Sequence, residues 1–238
     1  ALAAPLVVRA VDANGNPVAN AAVTFAVASA PPSAQNAALS VTSATTNASG
    51  EASTALTLGT VTGTYVVTAT GPGGSQVLFS AVAKAEVAAK VVKKSGDAQT
   101  VVPGSVAPTP ICVTVTDQFN NAIVGLAVSF AITAQPAGAS GAQLSATAAN
   151  TGSDGSACTQ LVGGNQSGSY VTATSFPGSG LSPQTFTVSV SVPQGLSRAG
   201  GDVQSGAVGT SLPLPLVVRA TNASGQPIGG VDVSFVVS

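Results

Sequence analysis

The chain has 238 residues, of which 45% are hydrophobic and only 6% are charged, and its net charge is -1. A charge so close to zero excludes the basic surface that nucleic-acid binding requires, and it excludes a polybasic membrane anchor. The sequence contains no histidine, which excludes histidine-based catalytic triads and imidazole metal ligands.

Short stretches in which apolar and polar residues alternate follow one another along the chain, separated by Gly, Asn, Asp and Pro. This alternation is typical of strands, and no stretch shows the period of a helix. In the first part of the chain we expect strands over 6–11, 22–27, 52–58, 65–70 and 77–82. Further along we expect strands over 87–93, 100–102, 111–116, 126–133, 143–148, 156–162, 168–174 and 184–192.

One unit of sequence returns with a period of 105 residues. Residues 5–12 reappear as 110–117 and as 215–222, and residues 5–25 share 11 of 21 positions with residues 215–235. A fixed period of this kind indicates tandem copies of one folding unit. We therefore divide the chain into three repeats: 1–88, which lacks its first strand, 89–194, which is complete, and 195–238, the N-terminal part of a third.

About seven short strands in the complete second repeat, and the same logic in the first, predict an all-β fold of tandem immunoglobulin-like antiparallel β-sandwiches arranged end to end. The junctions between repeats, near 84–89 and 193–195, are short and are not Gly/Ser tethers. Such connections restrict bending, so the array is expected to be a semi-rigid rod.

The same strand-turn-strand corner occurs in every repeat. An Asp or Asn before the turn can accept hydrogen bonds from backbone amides two or three residues further on. Glycine supplies the positive φ of a tight reversal, and asparagine tolerates the same conformation where it replaces glycine. We assign the turns to Asp12, Gly15 and Pro17, to Asp117 and Asn120, and to Gly225 and Pro227.

Large apolar residues recur on one face of the predicted strands and indicate the core. Tyr65 and Tyr170 begin equivalent late strands, where each is either a core tyrosine whose hydroxyl bonds to backbone or a carbohydrate-stacking aromatic. We favour the core position for both. The predicted core residues are Val23, Phe25, Tyr65, Val128, Phe130, Tyr170, Val233 and Phe235.

The second repeat alone contains cysteines. Cys112 and Cys158 occupy the positions of Val7 and Ser53 in the first repeat, on strands that are neighbours in a sandwich of this topology. We predict a disulfide between them that closes a loop of about 46 residues, with two free thiols as the alternative. Alternation with Thr114 and Thr116 places Cys112 on the outer face of its sheet.

The eight acidic residues are scattered, and the dense Asp loop of a strong calcium site is missing. We therefore predict no metal site, no cofactor and no catalytic residues, and the chain is not expected to be an enzyme. A weak calcium site using Glu86 at a domain junction is one alternative. A flat hydroxyl face at 60–64 that binds a ligand is another, although strand propensity also explains these threonines.

The chain resembles a known family. The residues that carry the resemblance run from Val7 through Asp12, Gly15, Asn16 and Pro17 to Phe25, followed by 63–69 and its counterpart 168–173. This pattern resembles the bacterial immunoglobulin-like domain of the invasin and intimin type, over nearly the whole chain. The resemblance implies structural repeats at the bacterial cell surface or outside the cell, which project an adhesive tip located elsewhere. It implies no receptor-binding residues in this segment.

The leading hypothesis is accordingly a stalk or spacer of a bacterial cell-surface or secreted adhesin. One alternative is a subunit of an extracellular filament, because scarce lysine leaves the sheet edges open to lateral or end-to-end self-association. Another is a carbohydrate-binding module. The expected partners are neighbouring repeats of the same chain, with no nucleic acid. No membrane insertion by this segment is expected, since its apolar runs are interrupted before the roughly 18–20 residues of a spanning helix.

Overall fold

A computed structural model describes residues 1–237, which form strands joined by turns and loops. The prediction of an all-β fold is confirmed, because the described residues contain no α-helix and only one short 3-10 turn, Pro72–Gly74. The chain divides into two compact units. Unit 1 comprises Ala1–Val87 with Asp117–Asn121, and unit 2 comprises Ala88–Thr116 with the chain from Ala122 onward.

Unit 1 is built from eight strands that are all antiparallel to their neighbours. They are β1 Leu6–Arg9, β2 Ala22–Ser29, β3 Ala38–Leu39, β4 Ser43–Thr45, β5 Glu51–Thr54, β6 Leu56–Thr57, β7 Gly63–Thr70 and β8 Gln76–Ala83. A four-stranded sheet has the order β4-β2-β7-β8, while β1 pairs with β5 and β3 pairs with β6.

Unit 2 contains the remaining twelve strands. They are β9 Lys90–Ser95, β10 Gln99–Val101, β11 Ile111–Thr116, β12 Ala127–Ala134, β13 Gln143–Leu144, β14 Ala148–Asn150, β15 Ser156–Thr159, β16 Leu161–Val162, β17 Gly168–Ser175, β18 Thr185–Val190, β19 Gly195–Gly200 and β20 Val217–Thr221. The sheets have the orders β10-β18-β17-β12-β14, β15-β11-β9, β13-β16 and β19-β20, and only β10 with β18 is a parallel pair. The third predicted repeat, 195–238, is grouped with the second in this unit; its last residue, Ser238, lies outside the described residues.

Three predicted strands are each divided in the structure. The stretch 52–58 gives β5 and β6, which pair with β1 and β3. The stretch 143–148 gives β13 and β14, and the stretch 156–162 gives β15 and β16. The division arises because the chain changes sheets: β14 pairs with β12, whereas β13 pairs with β16. Alternation of apolar residues does not reveal such a change of partner, because it reports which face is buried and not which strand lies alongside.

The core of unit 2 is one continuous cluster between its sheets. Val113 and Val115 of β11 face Val128 and Phe130 of β12 across it, and all four are buried. Burying one such side chain contributes about 1.5–3 kcal/mol. Unit 1 instead has two separate clusters, one around Phe25 and one around Tyr65, Val67 and Leu56, with Val23 in the first.

The core assignment of Val233 and Phe235 is wrong. Val233 is 36% exposed and Phe235 is 60% exposed, and residues 231–237 form no strand. Their counterparts Val128 and Phe130 are buried because β12 pairs with both β14 and β17. No described strand pairs with 231–237, so no sheet encloses these two side chains. The other six predicted core residues are buried.

No helix within residues 1–237 has the length and the apolar character that crossing a bilayer would require.

Candidate functional site

The predicted turn residues form the same hydrogen-bonded corner three times. Asp12 Oδ1 accepts the backbone amides of Asn14 and Asn16 at 2.9 and 2.8 Å. Asp117 Oδ1 accepts those of Phe119 and Asn121, both at 2.9 Å. In the third corner the acceptor is Asn222 Oδ1, and the donors are the amides of Ser224 and Gln226, both at 3.0 Å.

Each corner also reverses the chain through one residue with positive φ. This residue is Gly15 at 84°, Asn120 at 68° or Gly225 at 73°. Pro17 and Pro227 follow the reversals and form isolated bridges back to Val11 and Thr221. One oxygen of each corner side chain thus holds its own turn, and in the second corner Asp117 Oδ2 also accepts the Glu86 amide.

The corner lowers the pKa of both aspartates. For Asp12 the main cause is the hydrogen bond from the Asn16 side chain, helped by the amides of Asn16, Asn14 and Gly15. For Asp117, burial alone would raise the pKa. Hydrogen bonds from the Asn121 side chain and from the amides of Glu86, Asn121 and Phe119 outweigh burial, so the pKa lies below its usual value. Both groups are therefore held as carboxylates at neutral pH.

Cys112 and Cys158 are joined by a disulfide with an S–S distance of 2.07 Å. They lie directly opposite each other on β11 and β15, and their Cα atoms are 4.2 Å apart. Neighbouring Val113 and Ala157 face the core. The bond therefore clips two adjacent strands on the outer face of one sheet, and it does not cross the core between sheets.

Both tyrosines use their hydroxyl groups internally. Tyr65 donates to the carbonyl oxygen of Val61 at 2.9 Å, and Tyr170 donates to that of Gln166 at 3.0 Å. Both rings are fully buried. A ring that is enclosed on both faces cannot stack on a sugar, so neither tyrosine offers a carbohydrate platform.

Unit 1 contains a cavity of about 250 Å³ that includes the acidic residue considered for calcium. Glu86 donates its backbone amide to Asp117 Oδ2 at 3.1 Å, and its carboxylate accepts the Gln118 side chain at 2.6 Å. Lys84 also lines the cavity. Within residues 1–237, no group of three or more His, Cys, Asp or Glu side chains is placed to hold a metal ion.

The structure reveals two repeated features that sequence reasoning missed. Gln99 Nε2 donates to the carbonyl oxygens of Gly96 and Thr109, while its Oε1 accepts the Thr109 amide. Gln204 makes the same three bonds 105 residues later, with Gly201 and Leu214.

The second feature is an ion pair beside this glutamine. Lys93 pairs with Asp97 at 2.5 Å, and Arg198 pairs with Asp202. Both features recur with the 105-residue period, and comparing the repeats position by position would have found them. A third ion pair, between Lys94 and Asp154 at 2.6 Å, occurs in the second repeat.

A comparison with protein families gives a match for the first repeat. Residues 2–88 match the family model of the bacterial Ig-like domain (group 1). No curated protein sequence matches the chain.

Solved structures share the fold at low sequence identity. InvD of Yersinia pseudotuberculosis is 18% identical, with 93% of this chain and 66% of that chain covered and a TM-score of 0.54. The Escherichia coli adhesin FdeC is 23% identical, with coverage of 94% and 70% and a TM-score of 0.53. The chain thus spans about two thirds of the length of these two structures. The D0-D1 domain of intimin is 21% identical, with coverage of 77% and 86%, but its TM-score of 0.30 is too low to support an argument.

The Ig-like resemblance inferred from the strand corner and the late tyrosine strand is confirmed by these matches. The similarity to the bacterial Ig-like domain of group 1 is established for residues 2–88.

Proposed function

We propose that this chain is a structural spacer, a set of Ig-like repeats in the stalk of a bacterial cell-surface or secreted adhesin. The observation that carries the proposal is that the polar side chains recurring between repeats hold internal structure. The corner aspartates, the late tyrosines and the equivalent glutamines Gln99 and Gln204 each bond to backbone of their own repeat. Asp117 in addition accepts the amide of Glu86, at the end of the first repeat. Repeats in which the recurring polar side chains stabilise the fold are suited to providing length and stiffness.

Two further observations support a location outside the cell. The Cys112–Cys158 disulfide is of a kind that persists in oxidising compartments. One of the structures with the same fold is described as an adhesin. Adhesion itself is then carried by another part of such a protein, because the described residues offer buried tyrosines and self-bonded turns in place of a recognition surface.

Small-angle X-ray scattering of the 238-residue chain tests the proposal. The radius of gyration, extrapolated to zero protein concentration, should be well above the roughly 18 Å expected for one compact domain of this length. A spacer adds about 35–45 Å of length with each sandwich, from strands of about 6–10 residues and their loops. A radius near the compact value would contradict the spacer role.

A second candidate function, a subunit of an extracellular filament, is favoured by one observation. The eight-residue strand β8 ends its sheet and carries exposed Val77, Leu78 and Val82. A long apolar edge of this kind is a site for pairing with another chain. Electron microscopy across a concentration series tests this candidate, and particles whose length does not change with concentration would count against it.

A further inference from the structure

The two cysteines of the disulfide differ in how far the sheet covers them. Cys112 lies on β11, which has a partner strand on each side, and it is only 6% exposed. Cys158 lies on β15, at the end of the same three-stranded sheet, and it is exposed. All three strands of this sheet belong to the complete second repeat. The bond therefore joins a covered cysteine in the middle of the sheet to an open one at its edge.

Cys112 has a cross-strand neighbour on each side. Cys158 lies opposite it on β15, and Ser95 lies opposite it on β9. Residues directly opposite each other point to the same face of a sheet, with Cβ atoms about 4.5–5.5 Å apart. The Ser95 hydroxyl donates to the carbonyl oxygen of Pro110 at 2.8 Å, which fixes this side chain. Ser95, Cys112 and Cys158 thus form a row, in that order, across the outer face of the sheet.

The direction from which a thiol must approach makes this row important. In thiol–disulfide exchange a thiolate bonds to one sulfur while the other sulfur leaves, and a mixed disulfide results. The three sulfur atoms lie nearly in line, because the new bond forms through the antibonding orbital of the old one. Attack on Cys112 Sγ must therefore come across β9 and Ser95, whereas attack on Cys158 Sγ comes from beyond β15.

The route to Cys158 is open. Among residues 1–237, β11 is the only strand that pairs with β15, so the far edge of β15 carries no further strand of the sheet. A thiolate in solution can reach Cys158 Sγ along the line of the bond without displacing a strand. The same approach to Cys112 Sγ would require β9 to separate from β11.

We propose that Cys158 Sγ is a modification site, at which a small thiol from the surroundings opens the disulfide while the protein stays folded. The thiolate forms a mixed disulfide with Cys158. The electron pair of the broken bond leaves on Cys112 Sγ, which then takes a proton from water. A second small thiolate attacks the small-molecule sulfur of the mixed disulfide and releases Cys158. The protein has then gained two electrons, and two small thiols have been oxidised to their disulfide.

The first of these two steps is readily reversed. The Cα atoms of Cys112 and Cys158 are 4.2 Å apart, and strand pairing keeps the released Cys112 thiol opposite the mixed disulfide. Attack by Cys112 returns the small thiol to solution and closes the bond again. The repeat therefore stays cross-linked when thiols are scarce, and it opens when they are abundant enough for the second step.

This inference stands apart from the spacer role, because the exchange is a property of one sheet. A compact chain would contradict the spacer role and leave the exchange in place. An elongated chain whose Cys158 does not react would contradict the exchange and leave the spacer role intact.

Mass spectrometry locates the attacked sulfur in the disulfide-bonded chain. The chain is incubated without denaturant in excess reduced glutathione at about pH 8, where this thiol is partly ionised. Samples are quenched in acid, which stops exchange, and are digested with pepsin. Glutathione adducts should be at least about ten times as abundant on Cys158 as on Cys112, because Cys158 Sγ is the accessible sulfur.

The unfolded chain is the control for this measurement. In urea above the unfolding midpoint the adducts on Cys112 and Cys158 should agree within about threefold, since strand pairing no longer covers either sulfur. Equal adducts on the two cysteines of the folded chain, or adducts mainly on Cys112, would overturn the proposal. A folded chain whose disulfide glutathione leaves intact would also overturn it.

A matched pair of single-cysteine variants measures the same difference without the return step. Cys112→Val leaves Cys158 alone, Cys158→Ser leaves Cys112 alone, and both replacements are the residues that the first repeat has at these positions. Circular dichroism checks that both variants keep the sheet signal of the parent. With the aromatic disulfide dithiobis(nitrobenzoic acid), the Cys158 thiol should react at least about ten times faster than the Cys112 thiol. Equal rates in the folded variants would show that the sheet does not direct thiols to Cys158.

Discussion

Thr172 lies directly opposite Phe186 in the β17–β18 pair, and its hydroxyl group has no hydrogen-bond partner although the side chain is fully buried. The equivalent residue of unit 1 is Val67, which is buried in its core. A buried hydroxyl without a partner costs about 1–3 kcal/mol. The second repeat therefore carries a polar atom where the first carries a methyl group.

Replacing this residue should stabilise the protein. Thr172→Val is expected to raise the free energy of unfolding by about 1–2 kcal/mol, because it removes the unsatisfied hydroxyl and keeps the shape of the side chain. Urea denaturation of the chain measures the change. Thr174→Val is the control: the Thr174 hydroxyl accepts the Gln184 amide at 3.0 Å, so that variant should be less stable than the parent. A loss of stability in Thr172→Val would contradict the expectation.

The disulfide should stabilise unit 2 without being required for its fold. The double variant Cys112→Val with Cys158→Ser carries the residues that the first repeat has at these positions. A cross-link closing 46 residues of sequence contributes at most about 4 kcal/mol through loop entropy. The double variant should keep its sheet signal in circular dichroism and unfold at lower urea. An unchanged midpoint would show that the bond contributes nothing to stability.

The Lys94–Asp154 ion pair should make the free energy of unfolding depend on pH in the acidic range. Hydrogen bonds from the Lys94 ammonium group and from the Ser156 amide and hydroxyl lower the pKa of Asp154 to about 2, from an ordinary value of 3.8. A lowered pKa in the folded state stabilises the protein above the unfolded pKa, and that contribution disappears as pH falls through the folded value. Relative to Asp154→Asn, the parent should unfold at higher urea above about pH 5 and lose this advantage between about pH 4 and pH 2.

Salt provides the internal control for this pH dependence. Asp154 and Lys94 are both about half exposed, so added salt should reduce the difference between the parent and Asp154→Asn at neutral pH. A difference that persists unchanged at pH 2 would assign the effect to packing and not to the carboxylate.

The corner aspartate of the second repeat should tolerate asparagine but not alanine. Asp117 accepts hydrogen bonds from the amides of Glu86, Phe119 and Asn121 and from the Asn121 side chain. Asp117→Ala leaves these donors without a partner and should cost at least about 1–3 kcal/mol. Asp117→Asn keeps one acceptor oxygen, as Asn222 does in the third corner, and should cost less. Equal unfolding midpoints for the two variants would contradict this account.

Local patterns were enough to predict most strands and the turn chemistry. Residues 111–116 form a strand with the bounds that alternation gives, and the turn after Asp117 follows from Asp and Asn chemistry. Which side chains are buried was harder to predict from the sequence, because burial depends on strands that are distant along the chain. Phe130 and Phe235 occupy equivalent positions in two repeats, yet only Phe130 has neighbouring strands to bury it. The unsatisfied hydroxyl of Thr172 is likewise invisible in the sequence, since threonine is an ordinary strand residue.

The position of the disulfide determines how unit 2 responds when a chain is pulled from its two ends. Residues 113–157 lie inside a covalent loop, so tension passes through the sulfur atoms and these residues cannot be drawn out. At about 3.4 Å for each extended residue, the disulfide keeps roughly 150 Å of chain from extending, and reduction of the disulfide would release this length. Unit 1 has no such bond among its described residues and can extend fully. A stalk built from both kinds of repeat would unfold under force in steps of unequal extension. The extension of the shorter step would increase when the disulfide is reduced, so it depends on the redox conditions around the stalk.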